Sequence, residues 1–145
     1  LSSLNLDLQQ YFLKNYNNKC FVLTPHEGEF SRMFPDITGS NLEKAQRATE
    51  ITDAVIVLKG PATIIAQKDR KPYINVHSHP ALATAGTGDV LTGMIAGLLA
   101  QGMTPFDAAR TAVWIHGEAG HRLGVGMVAS DISDVLPKII QSIHT

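Results

Sequence analysis

The sequence predicts an α/β domain with a largely parallel sheet flanked by helices and with one hairpin. Two short apolar runs, Cys20-Phe-Val-Leu-Thr24 and Ala54-Val-Ile-Val-Leu58, read as buried strands, because a strand covered on both faces shows a continuous apolar run. Segments of helical period alternate with them, which is the order that builds parallel sheets. No repeat, low-complexity tract or Pro/Gly/Ser linker divides the chain, so residues 1–145 are expected to be one unit.

Leu4, Leu8, Phe12 and Tyr16 recur at a spacing of four and form one stripe of a helix over residues 3–15, ended by Asn17-Asn18. The first strand closes at Pro25 and delivers a loop, His26-Glu27-Gly28-Glu29, followed by a short helix over residues 29–34. Ser40 with Glu43 makes a capping box that opens a helix to about residue 51. The second strand ends at Lys59-Gly60-Pro61. After it, Thr63-Ile-Ile-Ala66 and Tyr73-Ile-Asn-Val76, joined by the polar turn at residues 68–71, read as the hairpin.

From Gly86 the period is helical again. Val90, Leu91, Met94, Ile95, Leu98 and Leu99 leave little polar face, so this helix is expected to be buried on most sides, with Gly102 as its stop. Thr104, Pro105 and Asp107 start another helix reaching about residue 121. Ser130 is placed to cap a last helix that Pro137 would kink or divide.

The chain has 145 residues, 44% of them hydrophobic, with 12 Lys+Arg against 13 Asp+Glu and a net charge of -1. A near-neutral chain without a basic run has no electrostatic footprint for nucleic acid or an anionic membrane, so an anionic ligand must be met locally. The longest strongly apolar stretch, residues 90–100, is broken by Thr92, Gly93 and Gly97 and is too short for a bilayer span of about 20 residues. Cys20 stands alone, which excludes an internal disulfide or a cysteine-rich zinc site and favours a reducing, cytoplasmic setting. The N-terminus has no signal-peptide pattern. A start at Leu1, inside what already reads as helix, points to a processed or truncated chain.

In open α/β sheets ligands bind beyond the C-terminal strand ends, so the loops at His26, Lys59 and Gly86 are expected to face one crevice. The third loop is the most informative: Ala83-Thr84-Ala85-Gly86-Thr87-Gly88-Asp89-Val90-Leu91-Thr92-Gly93. Gly86 and Gly88 allow a tight turn and bring bare N–H groups to a ligand, and the following helix offers its positive end. That is an anion hole. Asp89 beside it could take a proton from a hydroxyl that attacks a phosphoryl group. The same start occurs in helices that bind nothing. Neither the phosphate loop G-x-x-x-x-G-K-[ST] nor a G-x-G-x-x-G fingerprint is present.

Lys59-Gly60-Pro61-Ala62-Thr63 leaves a strand with a cation, a hinge and a hydroxyl, suited to a nucleotide or to a plain turn. His26 and Glu29 could hydrogen-bond a substrate or stand in solvent. His77-Ser78-His79 has the alternation of a metal pair, without a third ligand nearby in sequence, and no metal site is assigned. His116 and His121, five apart, fall on different helix faces.

Taken in order, five segments resemble the ADP/ATP-dependent NAD(P)H-hydrate dehydratases of the ribokinase-like superfamily. They are Leu23-Thr-Pro-His-Glu-Gly-Glu-Phe30, Val57-Leu-Lys-Gly60, Ala81-Leu-Ala-Thr-Ala-Gly-Thr-Gly-Asp-Val-Leu-Thr-Gly93, His116-Gly117-x-Ala119-Gly120 and Ala129-Ser-Asp131. The resemblance implies a ribokinase-like fold and the repair of hydrated NADH or NADPH at the expense of ADP or ATP. It makes Asp89 the catalytic base, and Gly86, Thr87 and Gly88 the anion hole. Lys59, Gly60, Pro61, Ala62 and Thr63, with Gly88, would bind the nucleotide, and His26 with Asp89 the hydrate. Mg2+ is implied with the nucleotide phosphates, and a homo-oligomer is expected.

Three departures qualify the resemblance. The family loop usually reads His-Pro-Gly-Glu, whereas Glu27 here replaces Pro and adds a negative charge near an anionic substrate. Ser78-His79 stands before Pro80 where the family often has Gly-Asn. The chain also corresponds to the C-terminal half of the family's domain, so the resemblance implies an incomplete fold whose N-terminal segment would cover exposed apolar faces. The alternatives are a small-molecule kinase of the same superfamily, acting on a vitamin precursor or a sugar, and an inactive nucleotide-binding fragment.

Overall fold

The computed structural model describes residues 21–144. The helix expected over residues 3–15 and the residue Cys20 lie outside the described residues. The chain divides into two compact units. One holds the described residues up to Gly60 with Ile64–Ile74, the other Pro61–Thr63 with the described residues from Asn75 onward.

In the first unit, β1 (Val22–Leu23) leads to helices α1 (Glu27–Met33) and α2 (Asn41–Thr52), and these to β2 (Val55–Leu58). Then come β3 (Thr63–Ala66) and β4 (Tyr73–Asn75), and the four strands lie in the sheet order β1-β2-β3-β4. β1 and β2 are parallel, with Val22 opposite Val55 and Leu23 opposite Ile56. β2 and β3 are antiparallel, with Ile56, Val57 and Leu58 opposite Ala66, Ile65 and Ile64. The α/β class therefore holds with a mixed sheet among the described strands, and β3 and β4 are the neighbours that the hairpin pattern anticipates.

The register decides which side chains share a face. Ile56 and Leu58 fall on the same side as Ile64 and Ala66, and α1 and α2 close that side with Phe30, Phe34, Ala45 and Ala48. The two alanines let α2 lie close to the strands, and the Phe30 and Phe34 rings meet at 4.9 Å. Val55, Val57 and Ile65 point the other way and are also fully buried, so the strand is apolar on both faces. Each such Val, Leu or Ile contributes about 1.5–3 kcal/mol relative to exposure.

The helix starts follow from capping. Ser40 accepts the Glu43 N–H at 3.2 Å while the Glu43 carboxylate accepts the Ser40 N–H at 2.8 Å. α2 stops where Asp53 turns left-handed at φ 56°. One expectation is corrected here: α1 begins at Glu27 rather than at Glu29, because His26 itself is the N-cap. The His26-Glu27-Gly28-Glu29 segment is a helix start, not a loop.

The second unit is helical. A short 3₁₀ turn (Pro80–Ala83) precedes α3 (Thr87–Ala100), α4 (Pro105–Leu123) and α5 (Ala129–His144). Ile115 and Ala119 of α4 and Ile132 and Ile139 of α5, with Met127 between the two helices, form its core, against which Leu82, Val90 and Met94 pack. Thr104 caps α4 through the Asp107 N–H at 3.4 Å, with Pro105 in the first turn, and the helix ends where Gly124 takes φ 70°. No helix of the described residues is long and apolar enough to cross a membrane.

Two expectations fail in this unit. Among the described residues α3 is not buried on most sides: Thr87, Leu91 and Ile95 are its buried residues, one stripe at a spacing of four, and a side chain at Gly93 or Gly97 would meet no described atom within 4 Å. Ser130 does not cap α5. The Asp131 carboxylate accepts the Val128 N–H at 2.8 Å, so the helix starts at Ala129 and takes Ser130 into its first turn. Pro137 costs one backbone bond but stays inside the helix without dividing it.

α4 also carries a seat for the chain that precedes α3. A Cβ at Gly117 would overlap the His77 carbonyl oxygen, and one at Gly120 would lie 2.7 Å from Leu82 Cγ. Only glycine permits that approach. Gly117→Ala should destabilise the protein by about 1–3 kcal/mol through forced backbone displacement, read as a lower urea midpoint; an unchanged midpoint would show the seat to be loose.

Candidate active site

Strand pairing brings the first pair of candidate residues together. Beyond the β1–β2 ladder, His26 and Lys59 form one further parallel bridge, and the Lys59 N–H donates to the Pro25 carbonyl at 2.9 Å. Both residues thus sit at the C-terminal ends of a parallel strand pair, where α/β proteins bind ligands.

His26 is half in the backbone and half in solvent. Its Nδ1 accepts the Glu29 N–H at 3.1 Å, and the Glu29 carboxylate accepts the His26 N–H at 2.9 Å. A ring nitrogen that accepts carries no proton, so Nε2 holds the hydrogen of the neutral ring. A Cβ at Gly28 would lie 3.1 Å from the same ring, which is why a small residue belongs there. The His26 backbone N–H holds the Glu29 carboxyl below its ordinary value of 4.5; partial burial opposes it, and the charges of Lys59 and Arg32 add to the lowering. Glu27 is also occupied: its carboxylate accepts the Asn41 side-chain amide at 2.8 Å. After Lys59, Gly60 is half-buried, Pro61 is exposed, Ala62 is half-buried and Thr63 is buried as β3 begins.

Gly86, Thr87, Gly88 and Asp89 lie in the second unit. Gly86 is the N-cap of α3 in the left-handed region, φ 85° and ψ −13°, without a side-chain cap. A side chain there would be strained by the backbone and would lie 3.2 Å from the Ala129 methyl. Thr87 is buried and spends its donors locally. Its hydroxyl faces the carbonyls of Leu82 and Thr84, and its N–H donates to Thr84 at 3.3 Å. The first-turn amides of Gly88 and Asp89 have no acceptor within a helix that starts at Thr87, and they sit at its positive end. The Asp89 carboxylate is exposed in that same turn.

Two features escaped sequence reasoning. His116 is buried in α4 with Nε2 2.9 Å from the Thr87 carbonyl oxygen; the His116-Gly117-x-Ala119-Gly120 motif marked the residue, but nothing in the sequence named its partner. The second is a third imidazole beside His77 and His79. The His77 ring lies between Trp114, at 5.3 Å, and His121, at 4.6 Å, while His79 meets His121 edge-on at 5.3 Å. His77 Nε2 is 3.0 Å from the Glu118 carboxylate. The rings stack rather than converge, and among the described residues no group of three or more His, Cys, Asp or Glu could hold a metal ion.

The architecture is that of ribokinase-like proteins. A ribokinase-like superfamily protein from Enterococcus faecalis matches 83% of this chain at 34% identity with a TM-score of 0.74. The chain belongs to the NAD(P)H-hydrate dehydratase family, whose profile matches residues 2–141. The bifunctional NAD(P)H-hydrate repair enzyme Nnr of Moorella thermoacetica is 42% identical over 85% of this chain and 25% of its own length. The ADP-dependent (S)-NAD(P)H-hydrate dehydratase of Cenarchaeum symbiosum is 32% identical over 92% of this chain and 49% of its own. The Bacillus subtilis ADP/ATP-dependent NAD(P)H-hydrate dehydratase, co-crystallised with ATP/Mg2+, matches 83% of this chain at 36% identity with a TM-score of 0.76, over 47% of its own length. The chain thus spans between a quarter and a half of these relatives.

The depressed Glu29 carboxyl fixes a sign. A carboxyl whose folded value lies below its ordinary one stabilises the fold above pH 4.5, and that contribution is lost as the pH falls through the folded value. Glu29→Gln should therefore flatten the acid limb of stability against pH, followed by urea unfolding; a limb as steep as the wild type's would remove Glu29 from the account.

Proposed function

We propose that this chain supplies the nucleotide-binding, proton-accepting part of an enzyme that dehydrates hydrated NADH or NADPH, (S)-NAD(P)H hydrate, using ADP or ATP. In this reading, residues 1–145 are the C-terminal portion of one ribokinase-like domain, completed by an N-terminal segment, in a homo-oligomer. The observation that carries it is the α3 start, where amides without a helical acceptor and an exposed Asp89 carboxylate share one turn. The names of the archaeal and Bacillus relatives agree with the nucleotide and the substrate.

The chemistry follows from charge. The ring hydroxyl of the hydrate attacks the terminal phosphorus of the nucleotide, its O–H proton passes to Asp89, and the bond from that phosphorus to the bridging oxygen breaks. Negative charge grows on the transferred phosphoryl oxygens, where the amides at Gly86 and Gly88 and the end of α3 stabilise it. Thr87 shapes this hole by tying its own donors to the preceding turn. The phosphorylated oxygen is then a good leaving group. The ring-nitrogen electron pair expels it as phosphate, and loss of a proton from the adjacent ring carbon restores the dihydropyridine.

Lys59, Gly60, Pro61, Ala62 and Thr63 are assigned to the nucleotide along with Gly88, and the His26 Nε2–H to the hydrate. Mg2+ would arrive with the nucleotide phosphates. The described residues provide no carboxylate cage for it, so no step here runs through a protein-held metal.

The complete protein, given NADH hydrate, Mg2+ and ADP or ATP, should recover the near-ultraviolet absorbance of the dihydropyridine and release inorganic phosphate. Failure with both nucleotides would overturn the reading, and a stable phosphorylated alcohol in place of free phosphate would make the protein a small-molecule kinase. Asp89→Asn should keep nucleotide binding and lose about 10²–10⁴-fold in turnover. Retained turnover would remove Asp89 from the base role.

A further inference from the structure

His116 takes no part in the reaction as written above, yet it is buried and bonded to the segment that does the chemistry. We infer that His116 is a positioning residue that fixes the α3 start through the Thr87 carbonyl; the inference rests on the reading of Gly86–Asp89 as the anion hole and base.

A carbonyl oxygen only accepts, so His116 Nε2 carries the hydrogen and donates it across the 2.9 Å contact. Burial keeps water from competing for that bond. The residue it holds is the buried one in the segment, and its side chain is bonded as well as its backbone. Gly86 and Gly88 have no side chains to pack, and their amides must stay open if an anion is to bind. Thr87 between them is tied on one side to Leu82 and Thr84 and on the other to His116.

The same stretch of α4 grips the chain leading into Thr87. The His77 ring lies between Trp114 and His121, with Nε2 on Glu118. Its carbonyl accepts the Asn75 side-chain amide at 2.9 Å and lies against Gly117, and Leu82 lies against Gly120. The motif His116-Gly117-x-Ala119-Gly120 thus acquires a purpose: Gly117 admits the His77 backbone, Gly120 admits the Leu82 and His79 side chains, and the histidine sets where the helix begins. Asp89 is two residues beyond Thr87 in the same turn, so a shift of the Thr87 carbonyl moves the carboxylate with it.

The test compares His116→Phe, which loses the donor, with His116→Gln, whose amide reaches a similar position, both in the complete protein. H116F should lower kcat about tenfold to a hundredfold with the nucleotide KM nearly unchanged, and H116Q should recover most of it. Hydrogen exchange at the Gly88 and Asp89 amides should quicken in H116F and stay near wild type in H116Q. A residue that only filled space would lower the melting temperature while leaving turnover and exchange alone, and that result would overturn the inference. Should H116F not fold, His116→Asn, smaller and too short to reach the Thr87 carbonyl, replaces it with the same readings. If the wild-type protein turns over no hydrate, the proposed function falls and the exchange comparison alone decides the positioning role: unchanged exchange in the donor-less variant refutes it.

Discussion

A helix start that is to hold an anion must leave its first amides open, and in the proposed reading the α3 start meets that requirement. Amides kept free for a ligand cannot also hold the backbone in place. Nor can glycines, which are needed for the left-handed turn and for close approach but pack nothing. Side-chain restraint between the two glycines comes from Thr87, and further restraint comes from outside the helix. The Thr87 hydroxyl and N–H face back into the turn at residues 82–84, and its carbonyl receives His116. The contacts of residues 77–82 with α4 extend the same restraint backward along the chain.

The first unit solves a comparable problem by strand pairing. Parallel register carries β1 and β2 outward together until His26 and Lys59 meet as one more bridge. His26 then caps α1 with Nδ1, which orients the ring and leaves Nε2 as its donor. One side chain therefore both ends the strand segment and presents a hydrogen-bond donor, with Glu29 tying it in place through the backbone.

Local signals in the sequence were legible because their causes are local. The Ser40–Glu43 box, the Thr104-Pro105 start, both apolar strands and the Gly86 turn each depend on a few adjacent residues. Signals that depend on distant partners were not. His is a weak N-cap by composition, so the His26 cap emerged only with the Glu29 reciprocal bond in view. Asp131 reaching back to Val128 displaced Ser130 as the start of α5. His121 joins His77 and His79 only because residues 77–79 lie along α4, which no spacing records. The α3 composition reads apolar all round, yet the described residues cover a single stripe. Composition states what a face could bury, not what lies against it.

Glu27 also takes its meaning from the helix start. As a loop residue beside an anionic substrate, it would be an unfavourable replacement for the proline usual in the family. The structure makes position 27 the first residue of α1, directly after the His26 cap. Proline suits that position because its ring presets the helical φ and its missing N–H is not needed there. Glutamate suits it for a different reason, since a carboxylate is favoured at the positive end of a helix. The Asn41 side chain also donates to it at 2.8 Å, drawing the charge toward the start of α2. Both residues therefore suit the first helical position, directly after the His26 cap. The added charge meets a helix terminus and an amide before it meets any ligand, so the substitution can preserve the His26 geometry on which substrate contact would depend.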